Sequence, residues 1–241
     1  MNSINFNITK WFALCPGTGQ EKSWGTLGKK QPLCLGVLNE PPIGLIPPIM
    51  RRRMSSLSKL AVQTAIQLSL DNEINYIVFA SRHGELTRTV KLIEDIITGN
   101  DASPIIFSQS VHNTAAGLFT IATKLAIPVC SLAAGENTLH SALIEATSYL
   151  QEYPQDKVLV VNFDETLPEP YQAFEEQAYQ AFALGLLLES GNKFQIKSIK
   201  QSQESENSSP QAFCCIDYLL NNKKTLVINS HKTRWFWEKM T

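Results

Sequence analysis

Apolar positions recur along the chain with two periods. At Leu57, Leu60, Ala61, Ala65 and Leu68 they fall three and four apart, which predicts an amphipathic helix over Ser55–Leu70 with Ser55 or Ser56 as its cap. Ile74–Ala80 (INYIVFA) and Lys157–Phe163 (KVLVVNF) are near-continuous apolar runs of strand length, the kind covered on both faces of a sheet. Between them, Thr87–Thr98 predicts a second helix with Val90, Ile93, Ile96 and Ile97 as an inward stripe. His112–Lys124 predicts a third, with Leu118, Ile121, Ala122 and Leu125 on one face. A short strand, Ile127–Leu132, then enters a sharp turn, AAGEN, and a fourth helix carries Leu139, Ala142, Leu143, Ala146 and Leu150.

Outside this centre the pattern is weaker. Ile8–Leu14 reads as a first strand and Gln31–Leu38 as a short one. Ala181–Glu189 and Lys193–Lys200 read as two consecutive strands, and Thr225–Ser230 as a last one. Cys15–Lys30 and Gln201–Gln211 read as polar loops. PPIGLIPP, with four prolines in eight residues, fits neither helix nor central strand. The tail HKTRWFWEKM holds two of the four tryptophans and receives no assignment. Strands alternating with helices predict a layered α/β fold with a mainly parallel central sheet. A chain of 241 residues fits one large domain over 1–241.

Composition narrows the function. A formal net charge of -1 argues against a nucleic-acid footprint, and Arg51-Arg52-Arg53 is too short a basic run to supply one. No apolar run reaches the length of about 20 residues that a spanning helix needs, and the first residues have no basic leader. A cytoplasmic protein is expected. Five scattered cysteines without a CxxC pair suggest neither a zinc site nor a disulfide framework, and no cofactor is implied.

The turn after Ile127–Leu132 is the place to look for chemistry. A small-residue turn between a buried strand and a helix start can hold a nucleophile, because backbone N–H groups and the helix dipole lower a thiol's pKa and stabilise an oxyanion. Cys130 is the nearby thiol, but it falls inside the strand. Glu136 lies in the first helical turn, where a carboxylate complements the dipole. The histidines His83, His112, His140 and His231 are far apart in sequence, and no phosphate loop, GxSxG elbow or HExxH motif is present.

Several segments together resemble the N-terminal half of a β-ketoacyl synthase, of thiolase-like fold. They are PPIMRRRMSSLSKLA (Pro47–Ala61), SRHGEL (Ser81–Leu86), SP..FSQSVHNTAAG (Ser103–Gly117), Ile127–Ala146 and AFALGLLLE (Ala181–Glu189), spanning about 47–189. The chain is similar, more narrowly, to the short chain-length factors of aryl-polyene clusters. In that family the nucleophilic cysteine lies seven residues after a proline and five before a histidine. Counting from Pro128 and back from His140 both give Gly135. The resemblance therefore implies a degenerate nucleophile position. It also implies that the C-terminal catalytic half, with its two histidines and lysine, is missing, and that the chain alone does not condense.

The resemblance further implies a heterodimer with an active ketosynthase, serving an acyl carrier protein, whose acyl tunnel this chain closes to set product length. Ile105, Ile106 and Phe107, with Val90 and Ile93, are the implied tunnel-gate residues, and Ser110, His112 and Asn113 the implied dimer-interface residues. Two other readings stay open. One is a thiol-dependent acyltransferase or thioesterase using Cys130. The other is a scaffold for a ketosynthase or carrier protein, with Arg51–Arg53 meeting an acidic surface.

Overall fold

Residues 2–15, 43–201 and 209–240 are described by a computed structural model. The strands are β1 (Asn2–Leu14), β2 (Tyr76–Ala80), β3 (Val129–Leu132), β4 (Lys157–Asp164), β5 (Phe182–Lys200), β6 (Thr225–Ser230) and β7 (Thr233–Lys239). The helices are α1 (Pro48–Arg51), α2 (Ser56–Ser69), α3 (Leu86–Ile97), α4 (Pro104–Ser108), α5 (Thr114–Thr123), α6 (Thr138–Glu152) and α7 (Gln211–Leu220). Most of Cys15–Lys30, the strand expected at Gln31–Leu38 and the centre of Gln201–Gln211 lie outside the described residues.

All seven strands join one sheet, in the order β3-β2-β4-β5-β7-β6, with β1 also paired to β5. The layered α/β expectation holds. The parallel part is β3-β2-β4, and every pairing from β5 onward is antiparallel. The antiparallel part is larger than the strand–helix alternation predicts, because it is built from the sequence ends, where that alternation stops.

The apolar runs do what their pattern predicts. From Val158 to Asp164, β4 is buried throughout, since the sheet is covered on both faces. Alternate residues serve two cores. Val78, Val160, Leu186 and Leu188 face α6 and α7, and Phe79, Leu159, Val161 and Leu187 face α2 and α5. Ser55 caps α2, its hydroxyl accepting from Ser58 N at 2.8 Å. Gly185 lets α2 lie close on β5, since a Cβ there would meet Leu68 Cδ1 at 2.6 Å.

Three expectations change. Ala181–Glu189 and Lys193–Lys200 form one strand, not two. The SGN break becomes a register shift opposite Phe6/Asn7, where Asn7 Oδ1 accepts from Lys193 N at 3.0 Å and Asn7 Nδ2 donates to Ser190 O at 3.4 Å. The polar stretch ending at Gln211 opens directly into α7, and the unassigned tail forms β7, which pairs with the expected strand at Thr225–Ser230 in a hairpin. The inward stripes of two helices are also corrected. On α3, Val90 and Leu92 are buried, but Ile93, Ile96 and Ile97 face outward, Ile97 at 78% exposure. On α5 the buried positions are Thr114, Ala115, Ala116 and Phe119. Leu118 and Ala122 pack only partly, and Ile121 and Leu125 are exposed. Periodicity identifies an apolar face; it does not say which chain covers it.

Candidate functional site: a glycine elbow and an uncovered apolar face

The parallel strands β3, β2 and β4 all end at one edge of the sheet, the edge where open α/β folds place their sites. After β3, Ala133 and Ala134 lead into a 3-10 turn, Gly135–Asn137, and then α6. Gly135 has φ +57, left-handed backbone that glycine adopts without cost, and a Cβ added there meets nothing within 4 Å. The strand–turn–helix thus has the sharp, left-handed geometry of a nucleophile elbow, with space for a side chain and none present.

Each neighbouring polar side chain is already engaged. Thr138 Oγ1 accepts from Ala134 N at 3.0 Å and donates to Gly135 O at 2.7 Å. Glu136 Oε2 accepts from His231 N in the β6–β7 turn at 3.0 Å, so its role is to tie the elbow to the hairpin. Asn137 Oδ1 accepts from Trp235 Nε1 (2.7 Å), Ser230 Oγ (2.8 Å) and Gln211 Nε2 (3.1 Å).

One turn along α6, His140 is 1% exposed and stacked on Trp235, ring centroids 4.1 Å apart. Its tautomer follows from its partners. Indole N–H is a donor only, so His140 Nε2 accepts from Trp237 Nε1 at 2.9 Å, and His140 Nδ1–H donates to Gln211 Oε1 at 2.5 Å. Burial pushes this imidazole down to about 3, keeping it neutral, with the Gln211 contact opposing weakly. His140 therefore fixes the elbow against α7 and β7. The sequence offered it only as a register mark, because its tryptophan partners lie 95 and 97 positions downstream.

The turn after β2 is built around Asp164, buried at the end of β4. Its carboxylate accepts from Ser81 Oγ (2.7 Å), Arg82 N (3.0 Å) and His83 N (3.1 Å). Burial nonetheless pushes its pKa up to about 6, against those hydrogen bonds. His83, edge-on to Tyr179, is pushed down to about 4 by burial and then by the Arg82 charge. Glu85, also buried, accepts from Ser55 Oγ (2.7 Å) and Ser58 Oγ (2.5 Å), locking SRHGEL to the start of α2. His112 Nε2–H donates to Ser81 O at 2.9 Å, and its ring lies beside Gly84, where a Cβ would meet it at 3.0 Å. These polar residues hold turns in place.

The remaining sequence candidates separate. Cys130 is half-buried in β3, opposite Val78, with its side chain against the core under α6. Val90 is buried. Ile93, Ile105 (62% exposed) and Phe107 (61%) are exposed, and Ile106 is half-buried. Ser110 and His112 are half-buried and tied internally, Ser110 O accepting from Thr89 Oγ1 at 3.1 Å, and Asn113 is exposed. His112 and Asn113, with Ala116, Gly117, Val129 and Ser131, line an open groove between α5 and β3. Among the described residues β3 pairs only with β2, so its outer edge offers unpaired N–H and C=O groups. Exposed apolar side chains stand on α3 (Ile93, Ile96, Ile97), α4 (Ile105, Phe107) and α5 (Ile121, 66% exposed). Among the described residues no group of three or more His, Cys, Asp or Glu could hold a metal, and no helix is long and apolar enough to cross a membrane.

Comparison with known proteins places this geometry. A chain in the complex of the ketosynthase ApeO with its chain length factor ApeC, from Xenorhabdus doucetiae, is 28% identical. The match covers 98% of this chain and 100% of that one, with a TM-score of 0.89. The ishigamide ketosynthase/chain length factor matches at 17% identity over 83% of this chain and 68% of that one, TM-score 0.61. The AntDE:AntF complex, a type II acyl-carrier protein with its ketosynthase bound to the hexaketide, matches at 10% identity over 99% and 100%, TM-score 0.67. The last two speak to a shared thiolase-like fold. A search of curated proteins gives no match. The family model "Beta-ketoacyl synthase, N-terminal domain" matches residues 25–238, wider than the segments at 47–189 that first carried the resemblance. An elbow on a ketosynthase frame, matched by that model across most of its length, makes this chain a member of the β-ketoacyl synthase N-terminal domain family.

Proposed function

We propose that this chain is a non-catalytic chain-length factor that pairs with an active ketosynthase and helps to shape its acyl tunnel. The observation that carries the reading is Gly135. Its backbone retains the elbow conformation, the space for a side chain is open, and no thiol is present to take an acyl group. Condensation needs both that covalent attachment and donors for the developing enolate. Here the polar side chains at the elbow are held by α7 and the β6–β7 hairpin.

The uncovered region supports a partner. Ile93, Ile96, Ile97, Ile105, Phe107 and Ile121 are exposed, and among the described residues β3 has one free edge; exposed apolar side chains and a free edge of this kind are more readily explained by a second subunit than by solvent. The ApeO–ApeC match supports the nature of that partner, since a chain in that complex is covered along its full length. In this reading Ile105, Ile106 and Phe107 approach the partner's tunnel, Ile93 stands behind them, and Val90 supports α3 from within. Ser110, His112 and Asn113 shape the loop that meets the partner. An acyl carrier protein reaches the complex through its acidic surface. Arg51 is spent on Ile46 O (2.6 Å) and Gly44 O (2.8 Å), which leaves Arg52 and Arg53 exposed for that contact or for a scaffold role.

The thiol reading is less well supported. Cys130 sits in the strand with its side chain against the core and Tyr76, rather than in the turn where the helix start would face a nucleophile. Co-expression with the cognate ketosynthase, followed by size exclusion and product mass, tests the proposal. A one-to-one complex whose product shortens when Ile106 or Phe107 is replaced by tryptophan is expected. Unchanged product length in a fully formed complex would leave only the scaffold role.

A further inference from the structure

Away from the elbow and from the proposed partner face, a cleft of about 200 Å³ opens where β1, the kink in β5, the end of α7 and β7 meet. Ile8, Trp11, Phe194 and Tyr218 give its lining an apolar part, and Lys223 and Lys239 line it as well. Two strand irregularities build it. The shift between Ile8 and Lys10 puts Ile8 opposite Leu188 and Trp11 opposite Leu186, so that both side chains lie on one face of the sheet. The shift at Phe6/Asn7 brings Phe194, rather than the residue after Glu189, back into register. Bulges re-aim side chains, and both of these aim at the same cleft.

Lysines outnumber acids at this end, where Asp217 pairs with Lys223 and Glu238 lies near Tyr218. Met240 N donates to Lys193 O at 2.8 Å and Lys239 N to Lys224 O at 2.9 Å, which gathers Lys193, Lys223, Lys224 and Lys239 at this end of a chain whose overall charge is -1. Lys239 Nζ rests on Asn222 Oδ1 at 2.5 Å, and Lys223 pairs with Asp217. An amine on a neutral amide oxygen and an exposed ion pair are both weakly held, so a stronger anion can recruit them.

We infer that this cleft binds a small amphiphilic carboxylate, with its apolar body against Trp11 and Phe194 and its carboxylate between Lys223 and Lys239. The cleft is smaller than a drug-sized pocket, so it takes a body of about two rings or an equivalent alkyl segment. The inference is independent of any ketosynthase partner and is tested on the full chain alone.

The probe is 2-naphthoate, titrated by calorimetry beside its neutral counterpart 2-naphthamide. Saturable binding of the acid, at least about tenfold tighter than the amide, is expected. The surface variant Lys223→Gln/Lys239→Gln, which leaves the core untouched, should lose that preference, and Trp11→Ala should weaken both ligands. Asp217→Asn, which frees Lys223 from its competitor, should bind the acid more tightly. Absence of saturation at millimolar acid, equal affinity for acid and amide, or an unchanged preference in the double lysine variant would overturn the inference.

Discussion

The elbow and the α3–α4–α5 face are opposite in character. At the elbow Glu136, Asn137 and Thr138 each have a partner, an imidazole is held neutral against two tryptophans, and the turn itself is made by a left-handed glycine. On α3, α4 and α5 isoleucines and Phe107 stand exposed, and among the described residues β3 has one unpaired edge. An enzyme acting alone is expected to show the reverse, with unsatisfied, perturbed groups at the elbow and a polar exterior. The proposed pairing rests on this difference between a satisfied elbow and an exposed apolar face.

The largest expected effect breaks this comparison on the apolar side. Ile105→Asp or Phe107→Asp puts a charge where a partner would desolvate it. Complex formation with the ketosynthase should weaken by roughly two to three orders of magnitude, about 3–4 kcal/mol. The isolated chain should keep its stability to within about 0.5 kcal/mol, since both positions are already exposed. Pull-down and urea denaturation of the same variants separate the two.

The next prediction concerns acid. His140 is pushed from 6.5 down to about 3, so the unfolded chain takes up a proton that the fold refuses. Its contribution is complete above 6.5 and is lost as pH falls towards 3. At about 1.4 kcal/mol per pH unit, the loss between pH 6.5 and about 4 is about 3 kcal/mol. His83 acts in the same direction with a smaller shift. Asp164, raised to about 6, acts in the opposite direction: its contribution is lost as pH rises through that value. Urea midpoints across this range should fall with acid in the wild type, and His140→Phe should flatten the slope whatever it does to absolute stability.

A smaller effect tests the polar satisfaction of the elbow. Asn137→Ala leaves Trp235 Nε1, Ser230 Oγ and Gln211 Nε2 without their shared acceptor, and stability should fall by about 2 kcal/mol. A loss under about 0.5 kcal/mol would mean that water replaces the amide and that the hairpin does not lock the turn. Smallest is Gly135→Cys. The left-handed φ should cost about 1 kcal/mol, and the new thiol, open and near a helix start, should react with iodoacetamide faster than Cys130 by intact mass. Equal rates would show that the elbow has no activating environment.

What was legible in the sequence divides along the same line. The helix at Ser55–Leu70 and the strands at Ile74–Ala80 and Lys157–Phe163 were readable because their partners lie within one chain and both faces are covered. The sharp turn AAGEN was readable as small residues between a strand and a helix, and the structure places a left-handed glycine there. The stripe on α3 was placed inward because Ile93, Ile96 and Ile97 follow helical spacing, yet this chain leaves them exposed. The α7 helix and strand β7 were hidden by a polar lead-in and by tryptophans whose hydrogen-bond partners lie far upstream at Asn137 and His140, while β6 was read at Thr225–Ser230. Local pattern carries no information about contacts across such separations.

The most direct test is the product spectrum of the cognate ketosynthase assayed alone, with this chain, and with the Phe107→Trp chain. The account predicts efficient elongation only with this chain present, and a shorter principal product with Phe107→Trp in a complex that forms normally. A ketosynthase that makes the same products at the same rate without this chain would contradict it.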